Sequence, residues 1–282
     1  MATPPNSPVV NAGMKYVNGL GIASVPLLLK KVALAAGSAR DSTNTNDIVL
    51  EAPVVIDGAA TGVANGLDTG SLGNGLFYAV YVIASSTSVF TSSNQLAGGP
   101  SPNPLGPLTV PAPANPFPVA GLLSLNSVQP ALPRGYDMFR RVGWVKTDGA
   151  ANLLEWYQYG SDQTRQYYWG QVIGAGAVVA SATFDPVTLA GGVPPIRSVV
   201  TLNVGFVQAL ATDSIQFLPF GVPPATVAGV VRLSQGVTGD DNLYSVVVPA
   251  GLDGSNFPAV AVKLTVGAVA GIGVAGYVDY LS

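Results

Sequence analysis

The chain has 282 residues, of which 48% are hydrophobic and 10% are charged, with a formal net charge of -3 and a pI near 4.7. It contains neither cysteine nor histidine, which excludes disulfide frameworks, zinc–thiolate sites and any Ser-His-Asp or Cys-His mechanism within the chain. The small negative charge offers no electrostatic footprint for DNA or anionic membranes, so nucleic acid is not an expected partner.

Turn-forming residues punctuate the chain in a way that predicts an all-β fold. Gly, Pro, Asn and Asp recur roughly every eight to twelve residues, and the segments between them are rich in Val, Ile, Leu, Tyr and Thr. Antiparallel sandwiches and barrels have this pattern. We therefore predict two antiparallel β-sandwich (jelly-roll-like) domains with an extended N-terminal arm.

Residues 1–14 are predicted to form this arm. Pro4, Pro5 and Pro8 cannot donate hydrogen bonds to a strand ladder, so the arm could lie along a neighbouring subunit. The N-terminus lacks a basic stretch followed by an apolar one, and apolar runs break well before the roughly 18 residues of a membrane span. We therefore expect synthesis in the cytoplasm and no membrane partner.

Two apolar segments follow in the first half of the chain. Residues from Pro26 to Ala36 run into Gly37 without a clear helix cap, which favours a strand or a short helical turn. Residues 75–85, GLFYAVYVIAS, are apolar on both faces, as expected for a central strand of a sandwich. The second segment is therefore predicted to be core.

Residues 92–119 form a proline-rich insertion. Their sequence, SSNQLAGGPSPNPLGPLTVPAPANPFPV, is too dense in proline for an interior strand. Connections of this length are uncommon in compact domains unless they have a function. The insertion is either a contact surface special to this protein or a solvated spacer, and the sequence leaves both interpretations open.

Three segments resemble a domain of tailed-bacteriophage structural proteins. They are AGSARDSTNTNDIVL at residues 36–50, GLDTGSL at 66–72, followed by FYAVYVIAS, and LPRGYDMFRRVGWVKTD at 132–148. In that family the domain is one compact β unit carried on tail fibres and other surface proteins of the particle. The resemblance covers residues 15–170 and implies a virion component. The insertion departs from the family pattern, in which this connection is typically shorter.

The third segment concentrates arginine. Arg134, Arg140 and Arg141 lie close together, and strand alternation sends Arg140 and Arg141 to opposite faces. We predict that one of them is buried and paired, with Asp137 or Asp41 as its partner. An inter-subunit contact in a trimer is the functional alternative.

A predicted turn at Asp148-Gly149 leads into an aromatic cluster from Trp156 to Trp169. Exposed Tyr and Trp clusters often contact carbohydrate or protein. The near-alternate spacing, as in Tyr157 with Tyr159 and Tyr167 with Trp169, favours packing of these rings against the core instead. The cluster alone does not identify a glycan site.

Residues 171–282 are predicted to form the second domain. At least four strands are expected, with turns at Pro and Gly between them. They lie in the segments IRSVVTLNVGF, DSIQFLPFG, YSVVVPAG and AVAVKLTVGAVAGIGVAGYVDYL. This part resembles a phage sandwich domain more loosely than the first.

Two motifs invite a ligand assignment and do not support it. The string GIGVAG, with Gly271, Gly273 and Gly276, matches a dinucleotide fingerprint, but too few residues follow it for a crossover helix, so it is predicted to be a strand. The run GDDN at Asp240 and Asp241 lacks the alternating oxygen donors of a calcium loop and is predicted to be a hairpin turn. We expect no cofactor and no metal.

Paired acids are the remaining candidate for catalysis. Asp41 with Asp47, or Asp137 with Glu155, could serve glycoside hydrolysis only if the fold brought each pair within roughly 5 to 10 Å. Ion pairing with Arg40 or Arg140 is the simpler expectation. We therefore predict no catalytic site and no enzymatic activity.

The resemblance thus implies a structural protein on the surface of a virion, and we expect it to be made in the host cytoplasm. The favoured function is that of a capsid cement, decoration or head-fibre protein. Its expected partners are two further copies in a homotrimer and the major capsid protein or other virion proteins. The alternative is a tail fibre or receptor-binding module, for which a host-surface glycan would be a partner. The chain lacks the heptads or repeated β-helical units of a fibre shaft, which favours the head.

Overall fold

A computed structural model describes residues 15–25, 27–86, 117–160, 163–178, 180–181, 183–207, 213–222, 231–234, 241–265 and 269–281. The predicted arm at residues 1–14 lies outside the described residues, as does the predicted insertion except for residues 117–119. Within the described ranges, no helix has the length and apolar character needed to cross a membrane.

The structure confirms the all-β class, because every regular element named in the described residues is a strand. The first ten strands are β1 (Val17–Gly19), β2 (Ile22–Ser24), β3 (Lys31–Leu34), β4 (Gly37–Arg40), β5 (Asp47–Leu50), β6 (Val54–Asp57), β7 (Gly66–Leu67), β8 (Phe77–Ala84), β9 (Ala120–Ser124) and β10 (Met138–Lys146). The others are β11 (Trp156–Tyr159), β12 (Thr164–Val178), β13 (Asp185–Thr188), β14 (Ser198–Val207), β15 (Ser214–Pro219), β16 (Val231–Ser234), β17 (Asp241–Leu252), β18 (Pro258–Leu264) and β19 (Val269–Tyr280).

The chain divides into two compact units. The first unit comprises Met1–Leu153 with Leu281–Ser282, and the second comprises Leu154–Tyr280. The predicted boundary between residues 170 and 171 instead falls inside β12. That strand keeps its pairing with β19 on both sides of this point, from Tyr168 opposite Gly276 to Ile173 opposite Val274, with a register shift between them. A change to small residues after Trp169 therefore marks a bulge within one strand.

The first unit contains three sheets, with strand orders β1-β4-β5, β2-β3-β6 and β10-β8-β9-β7. All pairings are antiparallel except that of β7 with β9. Strand β8 lies between β10 and β9, and its residues from Tyr78 to Ala84 are buried, which confirms the predicted central strand. The segment from Pro26 to Ala36 contributes β3, after a turn in which Lys31 N donates to Leu28 O at 3.0 Å.

The second unit is built on one large sheet with the order β11-β12-β19-β14-β17-β18-β15-β16, and β13 pairs with β18. Strand β14 alternates strictly between buried and half-buried residues, which is the period-2 pattern of a strand with one face on a core. The GIGVAG string lies within β19, so its prediction as a strand is confirmed. These antiparallel sheets are consistent with the predicted β-sandwich domains.

Candidate functional site

Hydrogen bonds in the first unit link residues 36–50 to residues 132–148, and residues 66–72 to the loop just before residue 132. Ser42, in the first segment, donates its backbone N–H to Phe139 O in the third at 2.8 Å. Asp68, in the second segment, accepts a hydrogen bond at 3.1 Å from the N–H of Ala131, just before the third segment begins. Residues far apart in the chain thus form one hydrogen-bonded block.

Asp41 organises the loop between β4 and β5. Its buried carboxylate accepts hydrogen bonds from Thr43 Oγ1 at 2.8 Å, Thr45 N at 2.9 Å and Asn46 N at 3.2 Å. Burial by itself would raise the pKa of Asp41, but these hydrogen bonds outweigh it, and the pKa is lowered. A carboxylate held ionised by several donors is suited to fixing a loop and poorly suited to accepting or donating a proton.

The acid pair Asp41 and Asp47 does not form a catalytic pair of free carboxylates. Asp47 Oδ1 lies 2.8 Å from Arg40 Nε in an ion pair, as expected from the sequence, and the Arg40 guanidinium lies 5.8 Å from the centre of the Tyr16 ring. The carboxylate of Asp41 is occupied by its own loop. Both acids therefore have structural contacts.

One arginine was predicted to be both buried and paired, and the burial is confirmed for Arg140 in β10. Burial lowers its pKa, as does the charge of Arg141, while Asp41 acts in the opposite direction. The ion pairs of the described residues do not join Arg140 to Asp41 or Asp137, so the predicted pairing is not found. Arg141 has a different environment, with its guanidinium 5.2 Å from the centre of the Trp144 ring, in keeping with the predicted opposite faces.

Asp137, the other proposed partner, lies beside Tyr136 in a loop that contacts residues on both sides of the insertion. It accepts the N–H of Ser86 at 2.6 Å, on the upstream side. Tyr136 donates its hydroxyl to Pro118 O at 2.8 Å, on the downstream side, and its ring packs edge-on against Phe117. Gly135 has a φ of +91°, and a Cβ there would overlap the Phe117 ring, so this loop requires glycine.

The aromatic cluster in the second unit is divided between the two faces of its sheet. Trp156, Tyr167, Trp169 and Tyr277 are buried. Tyr167 stacks on Tyr277 with ring centres 4.9 Å apart, and Trp169 Nε1 donates to Gly192 O at 2.8 Å. The predicted packing of Tyr167 with Trp169 against the core is confirmed.

The prediction of core packing is wrong for Tyr157 and Tyr159. In the ladder, Tyr157 lies opposite Tyr168, one position out of phase with the Trp156–Trp169 pair, so these tyrosines point to the other face. The exposed residues on this face are Tyr157, Tyr159, Tyr168 and Tyr280, and we call this group the tyrosine face. The rings of Tyr159 and Tyr168 pack edge-on with centres 5.8 Å apart. The alternation was visible in the sequence, but its phase relative to the core was not.

The remaining candidates are the acids Asp137, Glu155, Asp240 and Asp241. Asp137 belongs to the first unit and Glu155 to the second, and Glu155 accepts a hydrogen bond from Tyr157 OH at 2.9 Å. Asp240 lies outside the described residues, and Asp241 begins β17. Among the side chains that the structure describes, no group of three or more His, Cys, Asp or Glu residues could hold a metal ion.

Comparisons with known proteins do not show a family for this chain. No protein-family model matches it, and no curated protein matches it. A structure of infectious bursal disease virus, Gx strain, is 15% identical over 96% of this chain and 69% of the other, with a TM-score of 0.23. The infectious bursal disease virus VP2 subviral particle is 12% identical over 96% and 68%, with a TM-score of 0.21. These TM-scores are too low for the similarity to bear on fold or function.

Proposed function

We propose that this chain is a non-enzymatic structural protein of a tailed-phage virion, bound to the head as a cement, decoration or head-fibre protein. The observation that carries the proposal is the hydrogen-bonded block in the first unit. Asp41, Asp68 and Asp137 lie in or beside the three segments of the resemblance, and each uses its carboxylate to hold a loop. These segments therefore use their acidic side chains to hold loops in place, which is a structural role.

Self-association is part of this proposal, with a homotrimer as the expected form. The outer edge of β12 supports it. From Gln171 to Val178, β12 pairs with β19 and, in the described part of the chain, with no strand on its other side. The sequence of this edge, QVIGAGAV, carries no charge and no proline, and such an edge pairs readily with another chain unless it is covered.

Such a protein would stabilise the particle through many copies of the same interface. A specific interface buries about 1,200 to 2,000 Å², and contacts of this size to the major capsid protein, repeated over the head, add avidity beyond that of one contact. The low charge content of the chain is consistent with a surface that is partly covered in an assembly.

Immunogold labelling of intact particles tests the location. An antibody against the purified chain should place gold regularly over the head, and antibody pre-adsorbed with that chain is the control. Gold confined to the tail would contradict the head assignment, and unlabelled particles would contradict a place on the virion surface.

A tail fibre or receptor-binding module is the second candidate. The tyrosine face favours it, because exposed tyrosines combine an apolar ring with a polar hydroxyl and suit recognition of a host surface. Tail labelling would select this candidate, and host-cell binding by the purified chain would then be the next measurement.

A further inference from the structure

We infer that the tyrosine face is a binding site for neutral, hydroxyl-rich pyranose glycans. The inference deepens the receptor-binding candidate by naming a ligand class, and it rests on that candidate only for its biological setting. The site comprises Tyr157, Tyr159, Tyr168 and Tyr280, with the carboxylate of Glu155 and the amide of Gln166 beside them.

The strand register puts these side chains on one face of three neighbouring strands. Tyr157 lies opposite Tyr168, Tyr159 opposite Gln166, and Tyr280 opposite Thr164. Positions related by an even number of residues share a face. Neighbouring strands lie about 4.8 Å apart, so the three strands extend about 10 Å across the sheet. The tyrosine face is therefore a continuous strip.

Two glycines keep this strip shallow. A Cβ on Gly276 would lie 3.0 Å from Tyr168 Cδ1, and a Cβ on Gly170 would lie 3.0 Å from both Cβ and Oε2 of Glu155. The neighbouring side chains occupy the space that larger residues would fill. The Tyr168 ring thus extends over Gly276 on the neighbouring strand, and no side chain at that position covers it.

The chemistry of the strip matches a sugar ring better than a charged ligand. A pyranose presents C–H groups that pack on aromatic rings, and hydroxyls that need both donors and acceptors. The phenol hydroxyls, the Gln166 amide and the Glu155 carboxylate supply both kinds of group. Tyr157 donates to Glu155 Oε1 at 2.9 Å, which orients that carboxylate.

The charges on these strands favour a neutral glycan. Residues 155–159, 163–170 and 276–280 contain three charged residues, and two of them, Arg165 and Asp279, are each 1% exposed. The exposed charge is the carboxylate of Glu155. With no cation on the described face to offset it, this carboxylate would repel sialylated, sulfated or phosphorylated glycans.

The test is titration of the full purified chain with single oligosaccharides, followed by saturation-transfer NMR. The neutral probes are maltohexaose, cellohexaose, mannohexaose and galactohexaose, and the acidic probes are sialyllactose and a heparin hexasaccharide. At least one neutral probe should bind at concentrations on the order of 1 mM. Tyr159→Ala and Tyr168→Ala should each weaken it about tenfold, whereas Tyr159→Phe should keep most of the affinity.

Phe257→Ala is the matched control, because Phe257 is 47% exposed in the second unit but lies in the turn between β17 and β18. It should bind sugar as the wild type does. The inference is overturned by no binding of any neutral probe, by preference for the acidic probes, or by equal binding in the tyrosine variants. These results leave the immunogold location untouched, so the two proposals can fail separately.

Discussion

At the scale of single residues, Asp68 shows how a buried carboxylate joins distant parts of the chain. Its Oδ1 accepts the N–H of Thr69 at 2.7 Å, and its Oδ2 accepts Ser124 Oγ at 2.5 Å and the N–H of Ala131 at 3.1 Å. Buried donors that lose such an acceptor cost free energy. Asp68 therefore stabilises β9 and the loop that follows it.

We expect Asp68→Asn to destabilise the first unit by about 1–3 kcal/mol, because an amide NH₂ would face a donor that the carboxylate now satisfies. Hydrogen–deuterium exchange of peptides from residues 117–131 should show the loss of protection. Glu51→Gln, an exposed acid in the same unit, is the control and should leave exchange unchanged. Unaltered protection in Asp68→Asn would contradict this role.

Asp41 predicts a dependence of stability on pH. Its pKa is lowered in the folded chain, so its contribution is present above the unfolded value of about 3.9 and is lost as pH falls through the folded pKa. Asp41→Asn should therefore cost about 2 kcal/mol at pH 7 and much less near pH 2. Urea unfolding at both pH values measures this difference. A cost that stays constant with pH would argue against the ionised carboxylate as its source.

At the scale of elements, glycines decide how closely strands β12 and β19 approach. A Cβ on Gly276 would lie 2.2 Å from the backbone oxygen of Tyr167 on the paired strand. A Cβ on Gly271, in the same strand, would meet nothing within 4 Å. The two positions look alike in the sequence and differ completely in their surroundings.

Gly276→Ala should therefore destabilise the second unit by about 1–3 kcal/mol or more, since the strands must separate to admit the methyl group. Gly271→Ala is the matched control and should have little effect. Hydrogen exchange of peptides from β12 and β19 separates the two variants. Similar loss of protection in both would mean that general glycine replacement, rather than strand approach, is responsible.

At the scale of the whole molecule, the open edge of β12 predicts self-association. Val172 is 52% exposed on this edge, and a lysine there would place a charge where a partner strand must dock. We expect Val172→Lys to lower the weight-average molecular mass of the chain's assemblies, as measured by sedimentation velocity. Val128→Lys, at an 80% exposed loop position of the first unit, is the control. An unchanged mass in Val172→Lys would exclude this edge as the interface.

The sequence by itself determined the all-β class, the buried central strand β8 and the burial of one arginine. Turn residues and apolar alternation act over a few neighbouring positions, so they can be read without knowing the fold. Burial of one arginine was predicted in this way because adjacent residues in a strand face opposite sides, and the structure decided that it is Arg140.

Only the tertiary structure decided which face the tyrosines occupy, where the units divide and which donors Asp68 binds. Ser124 lies 56 residues from Asp68, and Tyr157 meets Tyr168 only through the register of two strands. Register depends on pairing between distant segments. A shift of one residue would move every side chain of the strand to the opposite face of the sheet. Local patterns therefore predict that strands exist, while long-range pairing decides what their side chains contact.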